Sequence, residues 1–166
     1  MITEDHPRYP LDRLSRGINA QIERTLFALG SLMIAVVAAQ VFFRYVLNHS
    51  LFWSEELARY ILVWLTFLGA TAAYRRGAHP RIDLFVSRLG PGGMRAMRIG
   101  AHLVAMAFCA LLVVYGAQFA YFVRLQISPA LQIPKWTVML VLPLSGLIIC
   151  LHAAAAIRVE LGEPDS

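Results

Sequence analysis

Trp53, Glu55, Glu56 and Arg59 fall within the seven residues WSEELAR, at the start of a long apolar run. At a helix N-terminus such carboxylates complement the positive end of the dipole, and Glu55 stands four residues before Arg59, the spacing of an ion pair on one face. The same charges equally suit a patch that faces a partner. Arg44 and Arg124 occupy matching places, each closing an apolar run just after aromatics, Phe42 and Phe43 in one case and Tyr121 and Phe122 in the other. They fit either a weak repeat of two helical hairpins or side chains that snorkel toward water. His102 lies near the start of one apolar run and His152 near the end of another. Two imidazoles at similar depth could ligate a haem, or be hydrogen-bonded to neighbours within a bundle. Nothing else in the chain suits a cofactor, so none is expected. Cys109 and Cys150 lack the CxxC or Cys/His spacing of a zinc site and read as small core residues.

The elements that carry these residues are set by composition. The 166 residues are 58% hydrophobic and 15% charged, with a mean hydropathy of +0.61, too apolar for an ordinary soluble domain. In lipid a spanning backbone must satisfy its own hydrogen bonds, and long unbroken apolar runs select helices over a barrel. Four such runs predict spans at about 26–43, 57–74, 99–123 and 137–157, with Pro143 tolerated as a kink in the last. The predicted fold is therefore all-α, a single four-helix membrane domain. Residues 1–24 form a basic, amphipathic interfacial arm, with Leu11, Leu14, Ile18 and Ile22 at helical spacing. The polar residues ahead of the first run argue against a cleaved signal peptide, so the N-terminus is expected to be kept. Residues 75–98 form a basic connection with a surface helix over 81–89, ended by Pro91, Gly92 and Gly93. Small residues four apart, Ala35 with Ala39, Gly69 with Ala73 and Gly116 with Ala120, would let helices approach closely.

Orientation follows from the 15 Lys and Arg residues. Placing both termini in the cytoplasm puts 11 of them inside, as the positive-inside rule asks. Trp53 and Trp136 then mark the outer interface. The basic residues are spread between apolar runs and form no patch interleaved with aromatics, which excludes nucleic acid as a partner. No Asp or Glu lies in any of the four runs. This argues against a carboxylate-based antiporter acting alone, and no catalytic constellation is present.

Two phrases, RYVLNHSLFWSEELARYILVWLTFLGATAAYRRGAH (Arg44 to His79) and SPALQIPKWTVMLVLPLSGLI (Ser128 to Ile148), resemble the small membrane subunit of tripartite ATP-independent periplasmic (TRAP) transporters, the DctQ-like family. The resemblance covers all four spans. It implies a non-catalytic subunit of the bacterial inner membrane that scaffolds a large ion- and substrate-binding membrane subunit, for sodium-driven uptake of an organic acid delivered by a periplasmic binding protein. Since the sequence stops after the fourth span, the large subunit is expected as a separate polypeptide. Trp53, Glu55, Glu56 and Arg59, with Pro134 and Trp136, match the family's outer motifs, and Arg44 and Arg124 join them as expected outer-face contacts. Arg75, Arg76, His79 and Arg81 fall in the cytoplasmic turn, where basic groups suit membrane lipids or the large subunit. The different-class alternative is a haem-carrying anchor of a redox complex, which would use His102 and His152.

Overall fold

The computed structural model describes residues 10–76 and 91–162. Among them the chain is helical apart from its turns: α1 (Pro10–Tyr45), α2 (Phe52–Arg75), α3 (Pro91–Phe122), α4 (Trp136–Met139) and α5 (Val141–Gly162). With α4 and α5 taken together, four helical bodies are long and apolar enough to cross a membrane. Each overlaps one of the four expected apolar runs and is longer than it. His79, Arg81, the surface helix expected over 81–89 and the first nine residues of the arm lie outside the described residues.

The arm and the first span, expected as separate pieces, form one helix of 36 residues. At 1.5 Å per residue it is about 54 Å long, well beyond the ~30 Å of a hydrocarbon layer. Beyond Pro10, which opens it, no proline interrupts it, and Gly17 and Gly30 weaken a helix without breaking it. The fourth body is interrupted near its start because Pro143 has no N–H to offer the Met139 carbonyl. Leu140 keeps helical dihedrals there (φ −58°, ψ −22°), so the path continues from α4 into α5.

The helices pack as two antiparallel hairpins, α1 with α2 and α3 with α5, joined chiefly through α2 and α5. The α3–α5 pair is the most extensive, and glycine explains why. A Cβ on Gly116 would stand 2.9 Å from the Leu142 Cβ, and one on Gly146 would stand 2.8 Å from Val113 Cγ2 and 2.9 Å from the Cys109 carbonyl oxygen. Only a residue without a side chain lets these backbones meet. Gly69 is different: a Cβ there would meet nothing within 4 Å. Between the hairpins Ile22, Leu68, Ala72 and Val141 form a buried cluster, with Ile18, Leu26, Trp64 and Phe67 packed around it.

Candidate functional site

The antiparallel packing gathers polar side chains at two ends. At the loop end, α1 turns into α2 through Asn48, whose φ of 50° lies in the left-handed region that asparagine tolerates. The connection from α3 to α4 is a short hairpin: Ile127 bridges Pro134, the Ser128 N–H donates to the Ile133 carbonyl (2.9 Å) and the Lys135 N–H to the Gln126 carbonyl (2.9 Å). Gln132 makes the reversal at φ 54°. One carboxylate fastens this hairpin to α2. Glu56 Oε2 accepts from the backbone N–H groups of Ala130 (2.8 Å) and Leu131 (3.0 Å), and Oε1 accepts from the Tyr60 hydroxyl (2.6 Å). The Tyr60 hydroxyl first, then the Ala130 and Leu131 amides and the Ser128 side chain, outweigh desolvation and hold the Glu56 carboxyl below its usual range. Glu56 precedes the apolar run 57–74.

The other residues expected at this end behave differently. Glu55 is exposed and accepts from the Gln40 amide of α1 at 3.2 Å. No ion pair joins it to Arg59 among the described residues, so the i,i+4 pairing that the spacing allowed gives way to a contact between helices. Arg44 lies 5.9 Å from the Tyr45 ring and Arg124 lies 3.7 Å from the Tyr121 ring, so each closes its helix over a tyrosine. Trp53 and Trp136 are both substantially exposed at this end. Pro134 is exposed, and its carbonyl accepts from both the backbone N–H and the hydroxyl of Thr137, in the first turn of α4.

At the opposite, basic end the polar groups are buried and cross between helices. Arg75, at the end of α2, donates from Nη2 to Asp12 Oδ1 (2.7 Å) and from Nη1 to the Ser15 hydroxyl. Arg16 donates to the other Asp12 oxygen at 2.9 Å. Ser15 lies 2.7 Å from His152 Nδ1, carrying the network from α1 and α2 into α5. Ser15 is 0% and His152 2% exposed. Burial alone raises the Asp12 carboxyl, but the Arg75 guanidinium, with help from Arg16, outweighs it and holds the group below its ordinary value. Asp12 lies near the start of α1, well ahead of the apolar run 26–43.

Hydrogen counting gives the network a direction. Arginine only donates, so the Ser15 oxygen is an acceptor toward Arg75. If His152 Nδ1 also donated to that oxygen, the Ser15 proton would be buried with no acceptor. The arrangement that satisfies the Ser15 hydroxyl has it donating to Nδ1, with the imidazole neutral and its proton on Nε2, a buried nitrogen that meets no acceptor among the described residues. His102 is engaged elsewhere, 2.7 Å from the Tyr74 hydroxyl across α2 and α3. The two histidines thus meet different hydroxyls on different helix pairs. Nearby, Arg76 pairs with Glu23 at 2.9 Å, Arg98 with Glu160 at 3.2 Å, and Arg95 donates to the Leu161 carbonyl at 3.0 Å.

Sequence reasoning singled out Arg75 for lipid or partner contacts, whereas the structure turns it inward; Arg76 is the outward one of the pair. It overlooked Asp12 and Ser15. A signal existed: Asp12, Ser15 and Ile22 share one helical face with Ile18, but a search for apolar periodicity passes over a face that begins with polar residues.

Residues 33–162, most of the chain and all of its last three spans, match the family model of the DctQ component of tripartite ATP-independent periplasmic transporters. The chain belongs to this DctQ family. It is 26% identical over 137 residues to a putative TRAP transporter small permease protein of Haemophilus influenzae, covering 82% of this chain and 84% of that protein. It is 31% identical over 132 residues to the ectoine TRAP transporter small permease protein TeaB of Halomonas elongata, covering 78% and 68%. It is 28% identical over 140 residues to the isethionate TRAP transporter permease protein DctMQ of Oleidesulfovibrio alaskensis, covering 77% of this chain and 22% of that one. The chain is thus a TRAP small permease, a multi-pass membrane component of a transporter. These relatives give the haem-anchor alternative no support.

Proposed function

We propose that this small permease is the stationary, non-catalytic subunit of an inner-membrane TRAP transporter, and that it scaffolds a large permease which holds the ion and substrate sites for sodium-driven uptake of an organic acid. Both termini lie in the cytoplasm and the Glu56 hairpin faces the periplasm, where a binding protein delivers substrate. The observation that carries this reading is how the polar groups are used. Asp12, Ser15, Arg75 and His152 bind one another, and Glu56 binds this chain's own backbone. The spans hold no carboxylate for an ion, while their outward surface is apolar, including Phe27, Ile34, Val104 and Phe108. A bundle so arranged is a wall for another membrane protein. The 22% share of the isethionate permease protein that this chain covers fits the same reading, since most of that protein's length is then a larger permease.

Arg44, Trp53, Glu55, Arg59, Arg124, Pro134 and Trp136 are the residues proposed to meet partners on the outer face. Arg76 is proposed to face lipid or the partner's cytoplasmic side. Purification of the tagged chain in mild detergent, expressed beside the other genes of its locus, is expected to retain a large polytopic permease. Proteoliposomes are expected to take up substrate only with both permeases, the binding protein and an inward sodium gradient. Equal uptake by the large permease alone would overturn the scaffold assignment.

A further inference from the structure

Between α1 and α2, near the basic end, an open notch of about 510 Å³ is lined by Glu23, Leu26 and Phe27 on one side and by Gly69, Ala72, Ala73 and Arg76 on the other. It is short. On α1 the lining covers little more than one turn and on α2 about two, which at 1.5 Å per residue is roughly 10 Å of helix. Its floor is open, because a Cβ on Gly69 would meet nothing within 4 Å. Phe27, 79% exposed, forms one rim.

The two ends of the notch differ in polarity. Leu26, Phe27, Gly69, Ala72 and Ala73 make the deep part apolar. The mouth carries the Glu23–Arg76 pair, in which both Arg76 Nε (3.2 Å) and Nη2 (2.9 Å) approach a single carboxylate oxygen, Glu23 Oε1. Arg76 is 63% exposed. Because α1 enters its apolar run at Leu26 and α2 leaves its run at Tyr74, this mouth stands at headgroup depth and the floor at the start of the acyl region.

We propose that the notch binds one phospholipid whose headgroup carries both a phosphate and a primary ammonium. Arg76 presents outward N–H groups to the phosphate, a charge-assisted contact, and the Glu23 carboxylate accepts from the ammonium. The glycerol and first methylenes lie over Gly69, Ala72 and Ala73. A helix of a partner protein would need a groove continuing down the span, whereas this one is confined to the region where polar and apolar groups meet. A purely anionic headgroup would set its charge against Glu23. The proposal needs only the membrane-spanning fold and stands whether or not the scaffold reading holds.

The test is native mass spectrometry of the purified full chain, in its complex where one forms, after delipidation and titration with phosphatidylethanolamine, phosphatidylcholine or phosphatidylglycerol. One phosphatidylethanolamine per chain is expected to bind at least about tenfold more tightly than phosphatidylcholine, whose trimethylated head cannot donate, and than phosphatidylglycerol. Gly69→Leu, which fills the floor, and Arg76→Gln, which removes the phosphate partner, are each expected to lower that affinity by about tenfold with unchanged helix content. Equal binding in wild type and both variants would overturn the site. Preference for phosphatidylglycerol would overturn the headgroup assignment. Efficient crosslinking of Gly69→Cys to the large permease in native membranes would show that a protein fills the notch and would overturn the lipid.

Discussion

The two ends of the bundle are fastened by opposite strategies. At the loop end a single, partly exposed carboxylate, Glu56, collects neutral donors from Tyr60 of its own helix and from the backbone of a neighbouring hairpin. At the basic end a charged network with buried Ser15 and His152 ties the starts and ends of three helices, α1, α2 and α5. The first strategy shapes a surface and leaves helix packing to apolar contacts. The second fixes how the helices stand relative to one another.

Asp12 offers the hardest way to break this contrast. Its side chain is 11% exposed and that of Arg75 is 20% exposed, so removing one partner leaves a largely buried charge uncompensated. Asp12→Ala is expected to destabilise the bundle by about 3 kcal/mol, measured by denaturant unfolding in detergent micelles. Acid should act in the same direction. The Asp12 carboxyl titrates below its unfolded value, so its contribution is complete above the ordinary carboxylate range and is lost as pH falls through the lowered folded value. An unfolding profile of Asp12→Ala that retained the full wild-type acid sensitivity would place that sensitivity elsewhere.

His152 tests the direction of the same network at smaller amplitude. His152→Leu removes the acceptor for the Ser15 proton and is expected to cost about 1–3 kcal/mol, whereas His152→Asn keeps an oxygen acceptor on a short stem and should recover part of the loss. Protection of Arg13 and Arg16 from trypsin reports whether the arm stays docked. In wild type, 15N NMR of the imidazole is expected to show the neutral form protonated on Nε2; a proton on Nδ1 would reverse the assigned polarity.

At the loop end the expected effect is local. Glu56→Ala should speed hydrogen exchange at the Ala130 and Leu131 amides while leaving the melting of the helices nearly unchanged. Glu55→Ala should do neither, because among the described residues the Glu55 side chain hydrogen-bonds only to Gln40. If Glu56→Ala melted the bundle as a whole, the two ends would not be separable.

The helices were legible in the sequence because hydrocarbon imposes length and apolarity, and these need no knowledge of neighbours. Four long apolar helices follow from that, and Pro143 marks the interruption near the start of the last. What resisted reading were the choices among partners. Glu55 and Glu56 are identical in type and adjacent, yet one faces α1 and the other clasps a hairpin some 75 residues away in sequence. Arg75 and Arg76 likewise divide, one inward and one outward, because a helix turns about 100° between neighbours. Gly116 could be suspected as a crossing point from its spacing to Ala120, but Gly146 had no such signal. Its role depends on where Cys109 and Val113 of another helix pass.

The Arg98–Glu160 pair gives the smallest and sharpest comparison, because it lies at the same basic end as Asp12 and uses the same charge types. Its nitrogen and oxygen are 3.2 Å apart, but the Arg98 Nε–H makes no aligned hydrogen bond, and the Arg98 side chain is 41% exposed. Solvent screens such a pair, and ordering two long side chains offsets much of the Coulomb gain. Glu160→Gln is therefore expected to change unfolding stability by no more than about 0.5 kcal/mol, with the difference shrinking as salt is raised. A loss comparable to that of Asp12→Ala would mean that charge pairing at this end, irrespective of burial, holds the helices. A near-silent Glu160→Gln beside a disruptive Asp12→Ala would assign the fastening to the buried hydroxyl, imidazole and guanidinium contacts of the Asp12 network.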